Sequence, residues 1–557
     1  MSDNELLKMI PFVAMVIFKT WTLYSCYLVC RFFRIHYAIG VLIFFFPIVN
    51  VLVTLFPFYY WIDKIFITKS KQKENVKEIE VVDPKNLNES EIINFDTDKG
   101  RITIQNIYRG VYIQGGAGSG KSKSLIEPII YQASENSMAG LLYDFKSPEL
   151  TKKLLSAYKK QTEINTYFVD FKNPTRSNRV NPISPKYLTK SAVAFELSQT
   201  LINNLLPETI KKREYFDREA QSILTGIIWY MRNNHPQFCT IPHIISLFAH
   251  ISIDKILEMV ASDSEAIGMI SSIKQAVDRN ANRLVASVMS TLQNALATLN
   301  NPEVFWILSG EDFSLDLNDP EDPKFMCIGN DSTLSATYAP VISLIISSAI
   351  RLMNQPDKHK SMILLDEAPT IYIPKFEQIP ATARSNKVAT IYAAQDFGQV
   401  EDQNGKDKAQ VLLSNLGTQI YGRSTNVKTA EIIKSIFSKQ DKSFWAESQN
   451  SGKAGGLVLK MGRNDSEGRS QSIQERDRVK VTDILNLNAG EFYGIIAEGK
   501  PREFLKTKFK IAEQMDESHN FGIKTPMEYL GKNYQRIVDE VLSLTKDDQK
   551  NDNLINF

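Results

Sequence analysis

A glycine-rich segment constrains the fold of this chain more than any other feature. It follows Val111–Gln114, four residues typical of a buried strand, and it precedes an apolar stretch compatible with a helix. The segment matches the GxxxxGK[ST] phosphate-binding loop, in the strand-to-helix context that this motif requires. Its glycines allow a tight turn that directs backbone N–H groups toward an anion. The expected phosphate-binding residues are Gly115, Gly116, Ala117, Gly118, Ser119, Gly120, Lys121 and Ser122.

Two side chains of this loop predict a bound ATP with Mg²⁺. In such loops the lysine reaches the β- and γ-phosphates, which assigns that role to Lys121. The hydroxyl that follows the lysine binds the metal, which makes Ser122 a predicted Mg²⁺ ligand. The chain is therefore expected to be an ATP hydrolase of the P-loop class.

A second signature lies far downstream, where the apolar run Met362–Leu365 ends in two carboxylates. Asp366 is predicted to hold the Mg²⁺ shell, and Glu367 to polarise the attacking water. The alternative is a strand that ends in a solvated acidic pair. The phosphate-binding loop upstream favours the functional interpretation.

Arg384 and Gln395 flank the next predicted strand and are the remaining candidate catalytic residues. An arginine placed at the γ-phosphate of a neighbouring subunit would stabilise transition-state charge, an effect of about 10³–10⁵ in rate in known systems. Gln395 could sense the γ-phosphate or orient the water. From the residues alone, a surface arginine and a capping amide remain equally open.

Strand and helix patterns alternate along most of the chain after residue 100. Such alternation predicts an α/β fold with a doubly wound, mostly parallel sheet, whose ligands bind at the carboxyl ends of the strands. Helical periodicity replaces it between residues 191 and 320, which predicts an all-α insertion domain. The predicted core strands are Val111–Gln114, Ala139–Tyr143, Thr166–Val169, Phe325–Ile328, Ser361–Leu365, Val388–Ala394, Thr418–Tyr421 and Glu491–Ile496.

The N-terminus differs from the rest of the chain. Residues 10–30 are largely apolar but contain Lys19, and residues 37–62 carry no charge until Asp63 follows them. About 20 such residues span a bilayer, so two transmembrane helices are predicted. Lysines after the second segment favour a cytoplasmic flank, whereas Arg31 and Arg34 in the short outer turn argue mildly against that orientation. A cleaved signal peptide is disfavoured because no small-residue cleavage site follows.

Net charge and cysteine content indicate little about the function of the chain. The net charge of the 557 residues is +2, which points to no particular partner, and the four cysteines show neither metal-binding nor disulfide spacing. A reducing, cytoplasmic environment fits most of the chain.

These patterns predict five regions. They are a membrane anchor (1–63), a linker with the first part of the ATPase domain (64–190), the all-α insertion (191–320), the second part of the ATPase domain (321–513), and a C-terminal helix with a polar tail (514–557). Within them, 448–472 is predicted to be an exposed loop, the C-terminal helix to span 526–544, and 545–557 to be the tail.

The motifs as a set resemble the type IV coupling proteins of conjugation systems, the TraG/TraD family. The spacing between Arg384 and Gln395 resembles the arginine finger and glutamine sensor of that family. Three features depart from it: the outer membrane loop is short, Ala117-Gly118 stands where many members carry Thr-Arg, and the tail is shorter than a long substrate-recognising C-terminal extension. The segments that carry the resemblance include VYIQGGAGSGKSKSLIEPII, LLYDFKSPEL, VDFKNPTRSNRVNPI, ILLDEAPTI and ARSNKVATIYAAQDFGQV.

The resemblance implies a RecA-like motor that assembles as a homohexamer on the bacterial inner membrane, with its ATPase domain in the cytoplasm. Such a motor brings a relaxase-bound DNA strand to a type IV secretion channel and moves it with ATP. Two alternatives remain at this point. One is a membrane-bound hexameric DNA translocase of the chromosome-partitioning kind, and the other is a nucleotide-binding adaptor for protein cargo.

Overall fold

The computed structural model describes Trp21, Tyr24 and residues 91–159, 163–437, 439–450, 466–512 and 524–555. The chain divides into two compact units, Met1–Leu87 and Asn88–Phe557. In the first unit, Trp21 and Tyr24 are helical and their ring centroids lie 6.4 Å apart. Apart from these two residues, the predicted membrane spans lie outside the described part of the chain.

The described part of the second unit contains a nine-stranded sheet. Its strands are β3 (Val111–Gln114), β4 (Ala139–Asp144), β5 (Asn165–Asp170), β6 (Lys324–Gly329), β7 (Ser361–Leu365), β8 (Val388–Ala394), β9 (Thr418–Tyr421), β12 (Glu491–Ile495) and β14 (Glu503–Lys508). Their order in the sheet is β14-β12-β9-β3-β8-β7-β4-β6-β5. The strands from β9 to β5 are parallel, whereas β12 is antiparallel to both β9 and β14. The prediction of an α/β fold with a mostly parallel sheet is therefore confirmed.

Alternate residues along each central strand enter two different cores. Leu141 and Tyr143 of β4 belong to one apolar cluster, whereas Leu142 between them belongs to the other. This follows from the two-residue period of a strand, which sends successive side chains to opposite faces. Helices cover both faces, as expected for a parallel sheet without a solvated side.

The smaller core lies under α1 (Glu127–Glu135) and α2 (Glu149–Tyr158), the two helices that follow the first central strands. A π-helical turn, Ser122–Ile126, leads directly into α1. Leu125 and Ile129 from this side of the sheet are fully buried. The helix that begins at the phosphate-binding loop is thus anchored to the sheet by its apolar face.

The larger core contains the helical region. From Ser191 to Leu308 the described residues form helices and no strand, and their buried side chains share one cluster with the sheet. The boundaries predicted for a separate domain at 191–320 therefore stay a prediction. The helices are α3 (Ser191–Leu205), α4 (Glu208–Lys211), α5 (Tyr215–Asn234), α6 (Ile241–His250), α7 (Ile253–Ala261), α8 (Ala266–Met269), α9 (Ser271–Asp278), α10 (Asn282–Ala297) and α11 (Pro302–Leu308).

Helix α12 (Ser335–Met353) is the only described helix that is long and apolar enough to span a bilayer by length and composition. Its most apolar stretch is 72% buried inside the protein. It packs against α3 and contributes to the larger core, so its apolar composition reflects its interior position.

The remaining elements complete the second unit. A small antiparallel sheet joins β1 (Ile93–Thr97), β2 (Gly100–Ile104) and β13 (Gly499–Lys500), and β10 (Lys439–Asn450) pairs with β11 (Ser466–Asp477). The helices are α13 (Ile379–Ala383), α14 (Phe397–Asn404), α15 (Lys406–Asn415), α16 (Val427–Ile436), α17 (Val481–Leu485) and α18 (Met527–Ile555).

Two predictions about the C-terminal third are corrected. Residues 448–450 and 466–472 of the expected loop lie in the antiparallel β10–β11 ladder, whose backbone hydrogen bonds do not depend on apolar side chains. The expected polar tail is helical as far as Ile555. Its helix was not apparent from periodicity because the apolar pattern stops at Leu544, while Lys, Asp and Gln remain compatible with a helix.

The close approach of β4 to β7 makes Gly140 a test of this architecture. Its φ is +147°, and an added Cβ would lie 2.8 Å from the Met362 nitrogen and clash with the Met362 carbonyl oxygen. We expect Gly140→Ala to lower the free energy of unfolding by about 2–4 kcal/mol through strain and a backbone clash. Thermal or urea unfolding measures this change.

Gly531 in α18 is a matched control, because no atom lies within 4 Å of a Cβ built there. Gly531→Ala should be neutral or stabilising by up to about 1 kcal/mol, since alanine favours a helix interior over glycine. Equal stabilities for the two variants would contradict the close packing of β4 against β7.

Candidate functional site

The phosphate-binding loop leaves β3 at the carboxyl edge of the sheet and is fixed to its neighbours by backbone hydrogen bonds. The N–H of Gly115 donates to the Ala394 carbonyl (3.2 Å), and that of Gly116 donates to the Arg423 carbonyl (2.8 Å). Gly118 and Gly120 have φ values of +75° and +87°, a region that favours glycine. The loop therefore needs glycine at these two positions.

The two predicted nucleotide motifs meet in a buried ion pair. The Lys121 Nζ lies 2.9 Å from the Glu367 Oε1 and 3.8 Å from the Asp366 Oδ1, and all three side chains are less than 9% exposed. Strand β7 carries both carboxylates to this edge. Glu367 adopts a left-handed conformation (φ +48°), which turns the chain sharply after the strand. The structure thus brings together residues that are distant in sequence.

A cavity of about 400 Å³ opens above this ion pair. Gln395 reaches it from the carboxyl end of β8, the strand between β3 and β7. The other predicted residues that line it are Gly115, Gly116, Ala117, Gly118, Ser119, Gly120, Lys121, Ser122, Asp366 and Glu367. With one exception, the site residues predicted from the sequence therefore share one cavity.

The exception is Arg384. It precedes β8, whereas Gln395 follows it, so the strand separates the two residues across the sheet. The Arg384 Nη2 lies 3.6 Å from the Glu498 Oε1, and the arginine side chain is 46% exposed. Arg384 does not line the cavity of its own chain.

Asp144 is a cavity residue that the sequence motifs did not identify. It ends β4, and its Oδ2 accepts hydrogen bonds from the Thr151 backbone N–H and hydroxyl, each at 2.9 Å. Its Oδ1 is buried with no hydrogen-bond partner. The signal available in the sequence was an apolar strand ending in a carboxylate, the same pattern that identified Asp366.

Burial dominates the electrostatics of these carboxylates. It raises the pKa of Asp144 to about 7, against the two hydrogen bonds from Thr151. It also raises the pKa of Asp366 to about 6, while Lys121 acts in the opposite direction and Glu367 adds to the rise. Three carboxylates, those of Asp144, Asp366 and Glu367, thus lie at a buried edge, where a bound cation would favour their ionised forms.

The far wall of the cavity comes from a distant part of the chain that carries no recognisable motif. It consists of Ala489, Gly490, Lys508, Phe509 and Ile511. The Gly490 N–H donates to the Ser119 carbonyl at 2.8 Å. A Cβ at Gly120 would lie 2.8 Å from the Gly490 nitrogen, so only glycine fits where the loop meets this wall.

The polar groups that line the cavity fit a nucleotide with a divalent cation. Among the described residues, the Ser119 Oγ, Asp144 Oδ1 and Asp366 Oδ1 are buried without hydrogen-bond partners. A hydroxyl and backbone N–H groups suit phosphate oxygens, and carboxylate oxygens that accept no hydrogen bond suit a hydrated Mg²⁺. Fold and site together define an α/β protein of the P-loop nucleotide-binding class.

Comparison with known proteins agrees with this class. Residues 63–491 match the family described as Type IV secretory system Conjugative DNA transfer, and the chain belongs to this family. Coupling protein TraD of Escherichia coli (strain K12) is 21% identical over 327 residues, which are 57% of this chain and 42% of that protein. The chain thus matches less than half the length of this relative. The resemblance to type IV coupling proteins is confirmed.

Solved structures share the fold. The bacterial conjugative coupling protein TrwBdeltaN70 superposes with a TM-score of 0.55 at 14% identity, covering 78% of this chain and 91% of that one. TrwB in complex with ADP and Mg²⁺ superposes with a TM-score of 0.53 at 15% identity, covering 74% and 87%.

The raised pKa of Asp144 predicts a pH-dependent stability difference. In the folded state its pKa is about 7, above the ordinary value of 3.8, so its contribution to stability is greatest below pH 3.8 and is lost as pH rises toward 7. Asp144→Asn removes this titration. We expect the melting temperature of the variant, relative to wild type, to rise between about pH 4 and pH 7.

The half-exposed Asp278, which pairs with Lys274 on α9, provides a control because its side chain is 57% exposed. Asp278→Asn should follow the wild-type pH profile. The assignment of a raised pKa to Asp144 would be wrong if Asp144→Asn also followed that profile.

Proposed function

We propose that the protein is a membrane-anchored ATPase with a RecA-like motor domain. In this proposal it couples a relaxase-bound DNA strand to a type IV secretion channel and drives DNA translocation during conjugation. The observation that carries the proposal is the cavity in which Lys121 meets Asp366 and Glu367, in a chain of the conjugative DNA transfer family. The family supports the DNA-transfer role, and the site supports nucleotide turnover.

ATP with Mg²⁺ is the proposed cofactor. TrwB has been solved in complex with ADP and Mg²⁺ and with a non-hydrolysable ATP analogue, which supports the same ligands here. Ser122 and Asp366 would hold the Mg²⁺, which would neutralise phosphate charge as a Lewis acid. The backbone of the Gly115–Ser122 loop would hold the phosphate chain.

We assign the remaining catalytic roles to three side chains. Lys121 is proposed to exchange its ion pair with Glu367 for a phosphate contact, which leaves the Glu367 carboxylate available to accept a hydrogen bond from the attacking water. Gln395, which follows the intervening strand β8, is proposed to orient that water or to contact the γ-phosphate. A buried site strengthens each of these interactions, because little solvent competes for the same groups.

Arg384 supports a ring in which subunits complete one another's sites. The side chain is half-exposed and lies at the opposite end of β8 from its own cavity. An arginine finger supplied to the neighbouring subunit fits this position. We therefore propose a homohexamer whose nucleotide sites lie at subunit interfaces.

The proposed location is the bacterial inner membrane, with the ATPase domain in the cytoplasm. Two apolar segments at residues 10–30 and 37–62 support the anchor, since each has the length of a bilayer span. ATP supply requires the nucleotide site to face the cytoplasm.

The family match favours the proposed function over one of its two alternatives, and experiments separate it from the other. A match over residues 63–491 to conjugative DNA transfer proteins favours a coupling protein over a chromosome-partitioning translocase. A nucleotide-binding adaptor for protein cargo would use the same cavity. DNA-stimulated ATP turnover separates the motor from that adaptor, and binding of a relaxase separates conjugation from other DNA transport.

Glu367→Gln tests the proposed hydrolytic role. The amide keeps the shape of the side chain but cannot act as the anionic acceptor, so ATP should bind while turnover falls by about 10²–10³-fold. Lys121→Ala is the companion variant, and it should lose nucleotide binding as well. Calorimetry and a phosphate-release assay measure the two properties, and unchanged turnover in Glu367→Gln would refute the role of that carboxylate.

Arg384→Ala tests the shared site. Mixed rings of Arg384→Ala and Lys121→Ala subunits should regain ATP turnover, because a site with an intact Lys121 can receive Arg384 from a Lys121→Ala neighbour. As a matched control, Arg423→Ala alone should keep the wild-type turnover, since Arg423 is exposed and contacts the loop through its backbone carbonyl. Absence of regained turnover in the mixture would show that Arg384 does not act between subunits.

A further inference from the structure

The order of the strands defines which end of the nucleotide cavity faces the γ-phosphate and which end faces the base. The Lys121 ammonium points to Glu367, at the end of β7, which marks the γ-phosphate end. β3 lies between β8 and β9, and β12 and β14 follow β9. A nucleotide whose phosphates fill the loop must therefore extend its sugar and base away from β7, toward the ends of β12 and β14.

A wall of the cavity stands at that end, built from Gly490 and the segment Lys508–Ile511. Two backbone hydrogen bonds fix it relative to the loop: Gly490 N–H to the Ser119 carbonyl (2.8 Å) and Phe509 N–H to the Gly490 carbonyl (2.9 Å). The wall is thus held in register with the phosphate-binding residues, as a base-binding surface requires.

Phe509 and Ile511 have different roles in this wall. Phe509 is 2% exposed, and its ring packs edge-on against Phe95 (5.5 Å) and Phe492 (5.3 Å), so it anchors the segment in the core. Ile511 is 63% exposed, although it is a large apolar side chain that lines the cavity. An apolar side chain left accessible beside a polar loop is suited to a flat apolar ligand.

We propose that Lys508–Ile511 forms the nucleobase subsite, with Ile511 packing against the face of a purine. This inference rests on the proposed function, since it concerns the same nucleotide site. The lining residues contributed by this wall are Ala489, Gly490, Lys508, Phe509 and Ile511, and Ile511 is its accessible apolar side chain.

The test compares a ligand that has a base with one that lacks it. Calorimetry on the full-length protein in detergent measures ADP and inorganic tripolyphosphate, each with Mg²⁺, for wild type and Ile511→Ser. We expect the variant to bind ADP roughly tenfold more weakly, because an apolar contact with the base is lost. Its affinity for tripolyphosphate should not change, which also verifies that the loop is intact.

Two controls define the outcome. Ile511→Leu should keep the ADP affinity. Val411→Ser alters a 47% exposed valine on α15 outside the cavity, and it should change the affinity for neither ADP nor tripolyphosphate. If wild-type protein binds ADP and Ile511→Ser binds it equally well, the subsite is overturned while the proposed function stands. Equal losses for ADP and tripolyphosphate would also overturn it. Wild-type protein that binds neither ligand would refute the nucleotide site itself.

Discussion

The buried ion pair between Lys121 and Glu367 is the contact on which the site depends. Its two residues come from a loop after β3 and a turn after β7, and β8 separates these strands. The pair can form because the parallel strands all end at the same edge, where the loops converge. Because the pair is buried, removing Lys121 would leave the Glu367 and Asp366 carboxylates without their ion-pair partner in the interior.

Charge balance at this edge explains why the site suits a metal–nucleotide complex. Asp144, Asp366 and Glu367 face a cavity in which Lys121 forms ion pairs with the last two. Burial raises the pKa values of both aspartates, and Lys121 offsets this rise only in part at Asp366. A divalent cation would favour their ionised forms, while the phosphates would take the lysine. The same groups thus accommodate both charges of the ligand.

Short sequence motifs were sufficient to predict most residues of the site. The phosphate-binding loop, the Asp366-Glu367 strand end and Gln395 could be located because each motif lies at the carboxyl end of an apolar run, and parallel strands bring such ends together. Asp144 ends a strand in the same way but belongs to no named motif. The part of the β10–β11 ladder within 448–472 and the last turns of α18 lack apolar periodicity, so their residues predict a loop and a tail. The far wall could not be predicted, because Gly490 and Phe509 reach the loop only through the tertiary fold.

The same wall connects the nucleotide cavity to the start of the second unit. Phe509 forms a bridge with Thr97 of β1, and the Lys510 N–H donates to the Asp96 carbonyl at 2.9 Å. The hairpin β1–β2 is therefore attached to the segment that closes the cavity, and Gly490 joins that segment to the phosphate-binding loop. Since β1 follows the stretch that leads from the predicted membrane anchor, the nucleotide site and the entry of the chain into this unit share one continuous set of backbone contacts.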